Sequence, residues 1–131
     1  MEIRKIAIRS SKSEELIDIT SEIRQFIIDS NIEDGKLTLY VPHTTAAVTI
    51  NENADPTVRD DIIFALHKLI PRMKEFRHLE GNSDAHIKSS LIGCSQDVII
   101  SKGNLLLGTW QGIFFCEFDG PRNRSIILTI N

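Results

Sequence analysis

Short apolar segments, most of them alternating with polar residues, recur along this 131-residue chain and restrict it to folds rich in β-strands. An alternation of period two places successive side chains on opposite faces of a strand. The segment of residues 16–19 is predicted to form a hairpin with the first strand, across a polar turn at residues 10–13. The first strand is predicted over residues 2–9. We predict further strands over residues 37–41, 46–51, 98–100, 105–107, 113–118 and 126–130.

Two shorter segments change to the helical period. Residues 20–31 carry apolar side chains at i, i+3 and i+4, with Thr20 as candidate N-cap. A short helix is predicted over residues 84–91, capped by Ser83 and ended by Gly93.

The longest helix is predicted over residues 56–70. Asp55 is suited to cap it, Pro56 fits its first turn, and Pro71 should end it because proline removes a backbone donor. Its apolar stripe is expected to be buried, and includes Ile62, Leu66 and Leu69. Strands and helices together predict one α+β domain over residues 1–131, with a mixed or antiparallel sheet and about three helices.

Composition excludes several classes of function. The hydrophobic share of 41% and the net charge of -3 are those of a soluble globular protein, and no long basic run favours nucleic-acid binding. No apolar run has the roughly 20 residues of a membrane helix. We expect a cytoplasmic protein in which Cys94 and Cys116 are reduced thiols, one of them buried among phenylalanines.

Residues 78–86 concentrate two imidazoles, two carboxylates and a carboxamide. Imidazoles and carboxylates that converge from different segments are what a metal site needs. We predict that His78 and His86, joined by His43, hold one divalent ion, with zinc favoured by the nitrogen-rich set. In the same segment Asp84 is a candidate catalytic group, and Glu80 and Asn82 are candidate substrate ligands. The alternative is an ordinary surface loop, which is also the interpretation we favour for His67 on the long helix.

Polar residues at strand ends supply the other candidates. Glu52 follows a predicted strand and would serve as a general base, with Asn51 beside it as a substrate ligand. Thr44 and Thr45 would bind a phosphate or merely shape the turn after Pro42; the sequence leaves both alternatives open.

Trp110 and Gln111 lie between two glycines that permit close backbone approach. Trp110 would stack on a flat heterocycle, or else belong to the core. Arg122 would bind phosphate or carboxylate, whereas Arg124 is more simply a structural arginine.

Five of these segments together resemble the YjbQ-like family, in the family's order and over nearly the whole chain. The resemblance implies an α+β fold, a homotrimer, and histidine-containing sites near subunit interfaces. It also implies a secondary thiamine-phosphate synthase activity on a small phosphorylated heterocycle. Two alternatives remain, namely metal-assisted hydrolysis of a small anionic metabolite with Glu52 as base, and a non-catalytic trimeric module that binds a metal or metabolite. The segments are residues 42–46, 51–56, 80–88, 107–112 and 119–122.

Overall fold

Eight strands and three helices make up the computed structural model, which describes residues 2–131. The strands are β1 (Ile3–Arg9), β2 (Glu15–Asp18), β3 (Gly35–Tyr40), β4 (Ala46–Glu52), β5 (Ser95–Ser101), β6 (Asn104–Leu105), β7 (Gln111–Glu117) and β8 (Asn123–Ile130). The helices are α1 (Thr20–Ser30), α2 (Pro56–Leu69) and α3 (Ser83–Ile92). This confirms the predicted α+β class with three helices. Within the described residues no helix is long and apolar enough to cross a membrane.

The strands form two antiparallel sheets. Sheet A has the order β1-β8-β3-β5-β6, and sheet B has the order β2-β7-β4. The predicted hairpin between β1 and β2 is wrong, since β1 pairs with β8 and β2 pairs with β7, where Glu15 lies opposite Glu117. Local alternation sets which face of a strand is buried but not which partner it finds, and the polar turn at residues 10–13 crosses from one sheet to the other.

β7 is the strand around which the protein is built, because it is buried on both faces. Ile113 and Phe115 belong to the core between the two sheets, which also takes in the apolar side of α1. Phe114 and Cys116 point the other way, into a second cluster that α2 and α3 cover. The expected buried cysteine is therefore Cys116, and its burial raises the pKa of the thiol to about 12.

The helix ends agree with the sequence signals at some positions and differ at others. α2 begins as predicted, since the Asp55 carboxylate accepts a hydrogen bond from the backbone N–H of Thr57 at 3.0 Å. Thr20 and Ser83 are not caps: neither α1 nor α3 has a side-chain capping bond. The Thr20 hydroxyl instead donates to Asp18 at 2.6 Å and accepts the backbone N–H of Ile113 at 2.9 Å. Thr20 therefore joins α1 to β7, a tertiary role that outweighs capping.

α2 is less buried than its apolar stripe predicts. Ile62 and Leu66 are partly buried against the second cluster, but Leu69 is 77% exposed and no side chain of this helix is fully buried. The predicted burial of Leu69 is therefore wrong for the single chain, because only one side of α2 packs against sheet B.

Candidate functional site

The turn between α2 and α3 brings two of the predicted histidines together. Gly81, with a φ of +74° that suits glycine, lets the chain reverse, and its N–H donates to the carbonyl of His78 at 3.1 Å. As a result the rings of His78 and His86 lie 5.4 Å apart between centroids, nearly perpendicular to one another. Glu80 is close as well, with its Oε1 3.9 Å from His78 Nε2.

This imidazole pair has the spacing of two ligands of one ion. With nitrogen–metal distances of about 2.0–2.1 Å and a tetrahedral angle, the ring centres of two ligating histidines lie about 5 Å apart. The donor set therefore fits a borderline metal such as zinc. Among residues 2–131 of one chain, however, no three His, Cys, Asp or Glu side chains are close enough to hold an ion together. Metal binding by this pair therefore stays a prediction.

His43 lies elsewhere in the single chain. Its Nε2 accepts the backbone N–H of Ser125 at 3.0 Å, and its ring meets Phe115 edge-on. Burial, and then the nearby Arg124 guanidinium, lower the pKa of His43. Only Nδ1 is left for another partner, so a three-histidine ion site stays a prediction for an assembly of chains.

A buried lysine forms the centre of a charged network that the sequence reasoning missed. Lys88 has a fully buried side chain, and its Nζ donates to Asp84 Oδ2 at 3.2 Å and to Glu14 Oε1 at 3.1 Å. The spacing of Asp84 and Lys88, four residues apart on a predicted helix, was a usable signal. Glu14 gave none, because it comes from the segment before β2, 74 positions away from Lys88.

Beside this network lies a cavity of about 480 Å³, within the range of sites for small molecules. His67 and Arg72 stand at its wall with Glu14, Asp84 and Asp119. His67 Nδ1 lies 2.9 Å from Glu14 Oε1, and Arg72 Nε lies 3.7 Å from Asp84 Oδ1. The ring of His67 is largely exposed, as expected, but it has a carboxylate partner at the cavity.

Two of the predicted substrate residues meet at the edge of the cavity through Asp119. Asn82 Nδ2 donates to Asp119 Oδ2 at 2.8 Å, and Arg122 Nη2 donates to the same oxygen at 3.0 Å. Asn82 is buried, and half of the Arg122 side chain is exposed to solvent. The Arg122 guanidinium is therefore held in place with donors still open to a ligand.

The two predicted threonines, Thr44 and Thr45, take part in structural hydrogen bonds. Thr45 is buried and its hydroxyl accepts from Arg124 Nη2 at 2.8 Å, within the ion pair of Arg124 and Glu117. The carbonyl of Thr44 accepts from the Ser89 hydroxyl at 2.6 Å, which ties the β3–β4 connection to α3. Thr45 thus has a structural partner already, whereas the side chain of Thr44 faces solvent.

The remaining candidates gather at the opposite end of sheet B. Glu52 of β4 lies opposite Gln111 of β7, and the carbonyl of the exposed Trp110 accepts the backbone N–H of Asn53 at 3.0 Å. Asn51 Oδ1 is engaged by the N–H of Glu52. Because β7 is seven residues long, this group lies about 20 Å from Asp119. One chain therefore carries two separate polar groups.

The chain matches one family model and several relatives. The model, described as UPF0047 protein YjbQ-like, covers residues 4–131. A UPF0047 protein of Methanocaldococcus jannaschii is 61% identical, over 96% of this chain and 91% of that protein. The UPF0047 protein YugU of Bacillus subtilis is 50% identical, over 94% of each chain.

Solved structures agree with these relatives. An uncharacterised YjbQ/UPF0047 protein of Clostridium acetobutylicum superposes with a TM-score of 0.95 at 48% identity, covering 98% of this chain and 99% of that one. A hypothetical protein of Aeropyrum pernix gives a TM-score of 0.95 at 34% identity, covering 100% and 98%. The chain belongs to the UPF0047 family of YjbQ-like proteins.

Proposed function

We propose that this protein is a metal-dependent enzyme that acts on a small phosphorylated or otherwise anionic metabolite. The reaction is assigned to the α3 site, by which we mean His78, Asn82, Asp84, His86 and Arg122. The observation that carries the proposal is the imidazole pair, whose ring centroids lie 5.4 Å apart where the chain enters α3.

Each group of the site has a task that its geometry supports. His78 and His86 would hold a divalent ion, zinc by preference, and such an ion supplies Lewis-acid stabilisation of developing negative charge. Arg122, fixed by Asp119, offers N–H donors to a phosphate or carboxylate. Asp84 has one oxygen engaged by Lys88 and the other without a hydrogen-bond partner, so it is the carboxylate we assign to hold or accept a proton.

The incomplete ligand set favours an assembly of chains. We infer a homotrimer, in which a side chain of a second copy completes the coordination. The apolar surface of α2 supports association, because Phe64 is 66% and Leu69 is 77% exposed. Light scattering across micromolar concentrations should give three times the mass of one chain, and a monomeric mass would reject this assembly.

Thiamine-phosphate synthesis is the narrower reaction within the proposed class. The exposed ring of Trp110 favours it, since a stacking surface for flat heterocycles is what the reaction needs. Trp110 precedes β7 and Asp119, the partner of Arg122, follows it, so the length of the strand, about 20 Å, separates them and Trp110 and Arg122 would have to meet across copies. The same distance applies to Glu52 as a base for hydrolysis. Incubation with hydroxymethylpyrimidine diphosphate and thiazole phosphate should yield thiamine phosphate; no product with metal-loaded trimer would remove this reaction.

The proposed metal centre is tested by measuring zinc binding. Calorimetric titration of metal-free protein with zinc should show stoichiometric binding, and His86→Gln should lose it while keeping its circular dichroism spectrum. The matched control is His67→Gln, which removes the histidine bound to Glu14 and should bind zinc as the unmodified protein does. Equal zinc affinity in His86→Gln and the unmodified protein would reject a metal centre on this pair and leave the non-catalytic module.

A further inference from the structure

We propose that the cavity between Glu14 and α3 is a binding subsite for an ammonium group, carried by a small organic amine with an apolar body. This goes beyond the proposed function, which concerns the anionic part of a ligand and the imidazole pair. The amine subsite is defined by Glu14 and Asp84, with His67 and Arg72 at its wall.

The first reason is an excess of hydrogen-bond acceptors. Glu14 Oε2 and Asp84 Oδ1, which belong to two side chains that line the cavity, are buried atoms without a hydrogen-bond partner. The Asp84 side chain is only 7% exposed and lines the cavity. A buried polar atom without a partner destabilises the ligand-free protein, and both atoms lack the same thing, a donor. A ligand that presents N–H groups supplies it.

The second reason is the local charge. Glu14 and Asp84 share one buried cation, Lys88, so with a neutral imidazole at His67 the network carries one uncompensated negative charge. Arg72 is 72% exposed and only within 3.7 Å of Asp84, so water screens most of its charge. Asp119 is balanced by Arg122. An ammonium ion is favoured in this setting, and a phosphate or carboxylate is repelled.

The third reason is the shape beyond the charged floor. A second cavity of about 720 Å³ adjoins the first, since Ser13, Glu14 and His67 form walls of both. Its surface includes the apolar side chains of Leu16 and Ile63, with the charged Arg59 and Asp60 beside them. A ligand whose ammonium group meets Glu14 and Asp84 would therefore lay an apolar body against α2.

Benzylamine is a suitable probe, because its charge and its ring match the two halves of the cavity. Calorimetric titration should show binding of benzylamine at least about tenfold tighter than binding of benzyl alcohol or benzoate, since hydrogen bonds between an ammonium group and a carboxylate are stronger than those of a neutral hydroxyl. Asp84→Asn and Glu14→Gln should each weaken benzylamine binding by about tenfold or more. Asp29→Asn, an exposed carboxylate on α1, is the matched control and should have no effect.

Three results would overturn the subsite. They are equal affinity for benzylamine and benzyl alcohol, no heat with millimolar benzylamine, and unchanged binding in Glu14→Gln. Glu14→Gln still tests the subsite if Asp84→Asn fails to fold, because in Glu14→Gln the buried Lys88 keeps Asp84 as its partner. Zinc titration of Glu14→Gln separates the two proposals: retained zinc binding with lost amine binding supports the subsite, whereas absence of zinc binding in the unmodified protein rejects the metal centre alone.

Discussion

Two buried cations near the same end of β7, Arg124 and Lys88, are satisfied to very different degrees. Arg124 donates to both carboxylate oxygens of Glu117, at 2.9 and 2.6 Å, and to the Thr45 hydroxyl. Glu117 also accepts from the hydroxyl of Ser10 and the N–H of Asp119. Lys88 has two carboxylates around it, yet one oxygen of each has no hydrogen-bond partner.

The difference separates a structural network from one that is open to a ligand. In a low-dielectric interior a fully paired network fixes the frame, whereas an unpaired acceptor costs free energy until something binds it. The Arg124 network joins β7, β8 and the start of β4 with no acceptor to spare. The Lys88 network borders a cavity, and that is where binding is expected.

Arg124→Leu should show the largest loss of stability. It leaves the Glu117 carboxylate buried without its cation, and breaking a buried pair in this way costs about 3–5 kcal/mol. Urea unfolding followed by circular dichroism measures the change in the free energy of unfolding. A loss below about 1 kcal/mol would mean that this network is no more structural than a surface pair.

Asp84→Asn should cost less, about 1–3 kcal/mol. Lys88 keeps Glu14 as a partner, and the substitution removes an acceptor that was already partly unsatisfied. The same urea experiment applies. A loss equal to that of Arg124→Leu would show that the two networks do not differ in the way proposed.

Acid should weaken the Arg124 network through Glu117. Burial alone would raise the pKa of Glu117, but the hydrogen bonds from Arg124 and Ser10 outweigh it and lower the pKa below the ordinary value of 4.5. A carboxyl with a lowered pKa stabilises the fold fully above its unfolded pKa and loses that contribution as the pH falls through the folded one. Stability should therefore decline below about pH 4.5, more steeply than in Glu117→Gln; parallel pH profiles would refute the assignment.

Arg122→Leu should have the smallest effect, about 0–1 kcal/mol. Arg122 is only two residues from Arg124, but its side chain is half exposed and its partner Asp119 has Asn82 as a second donor. Thermal unfolding of this variant beside Arg124→Leu makes the comparison directly. A loss of stability as large as that of Arg124→Leu would show that Arg122 has a structural role rather than a role in ligand binding.

The candidate site could be predicted from sequence only where its residues are close along the chain. His78, Asn82, Asp84 and His86 lie within nine positions, and the turn at Gly81 brings the two imidazoles together. Three further residues of the region come from distant parts of the sequence, namely Glu14, His67 and Asp119. No local sequence pattern predicts their contacts. The burial of Lys88 was not predicted, although its spacing from Asp84 fits an ion pair on a helix, because lysine side chains are rarely fully buried.

The elements of the fold were largely determined by the sequence, and their arrangement was not. Alternation of period two and the Asp55–Pro56 and Pro71 signals depend on backbone sterics and local hydrogen bonds, so they act within a few residues. The pairing of β2 with β7, the burial of Lys88 and the 20 Å gap between the two polar groups were decided only by the tertiary structure. Those features depend on which strands meet, and that choice minimises the exposed apolar surface of the whole chain rather than of any one segment.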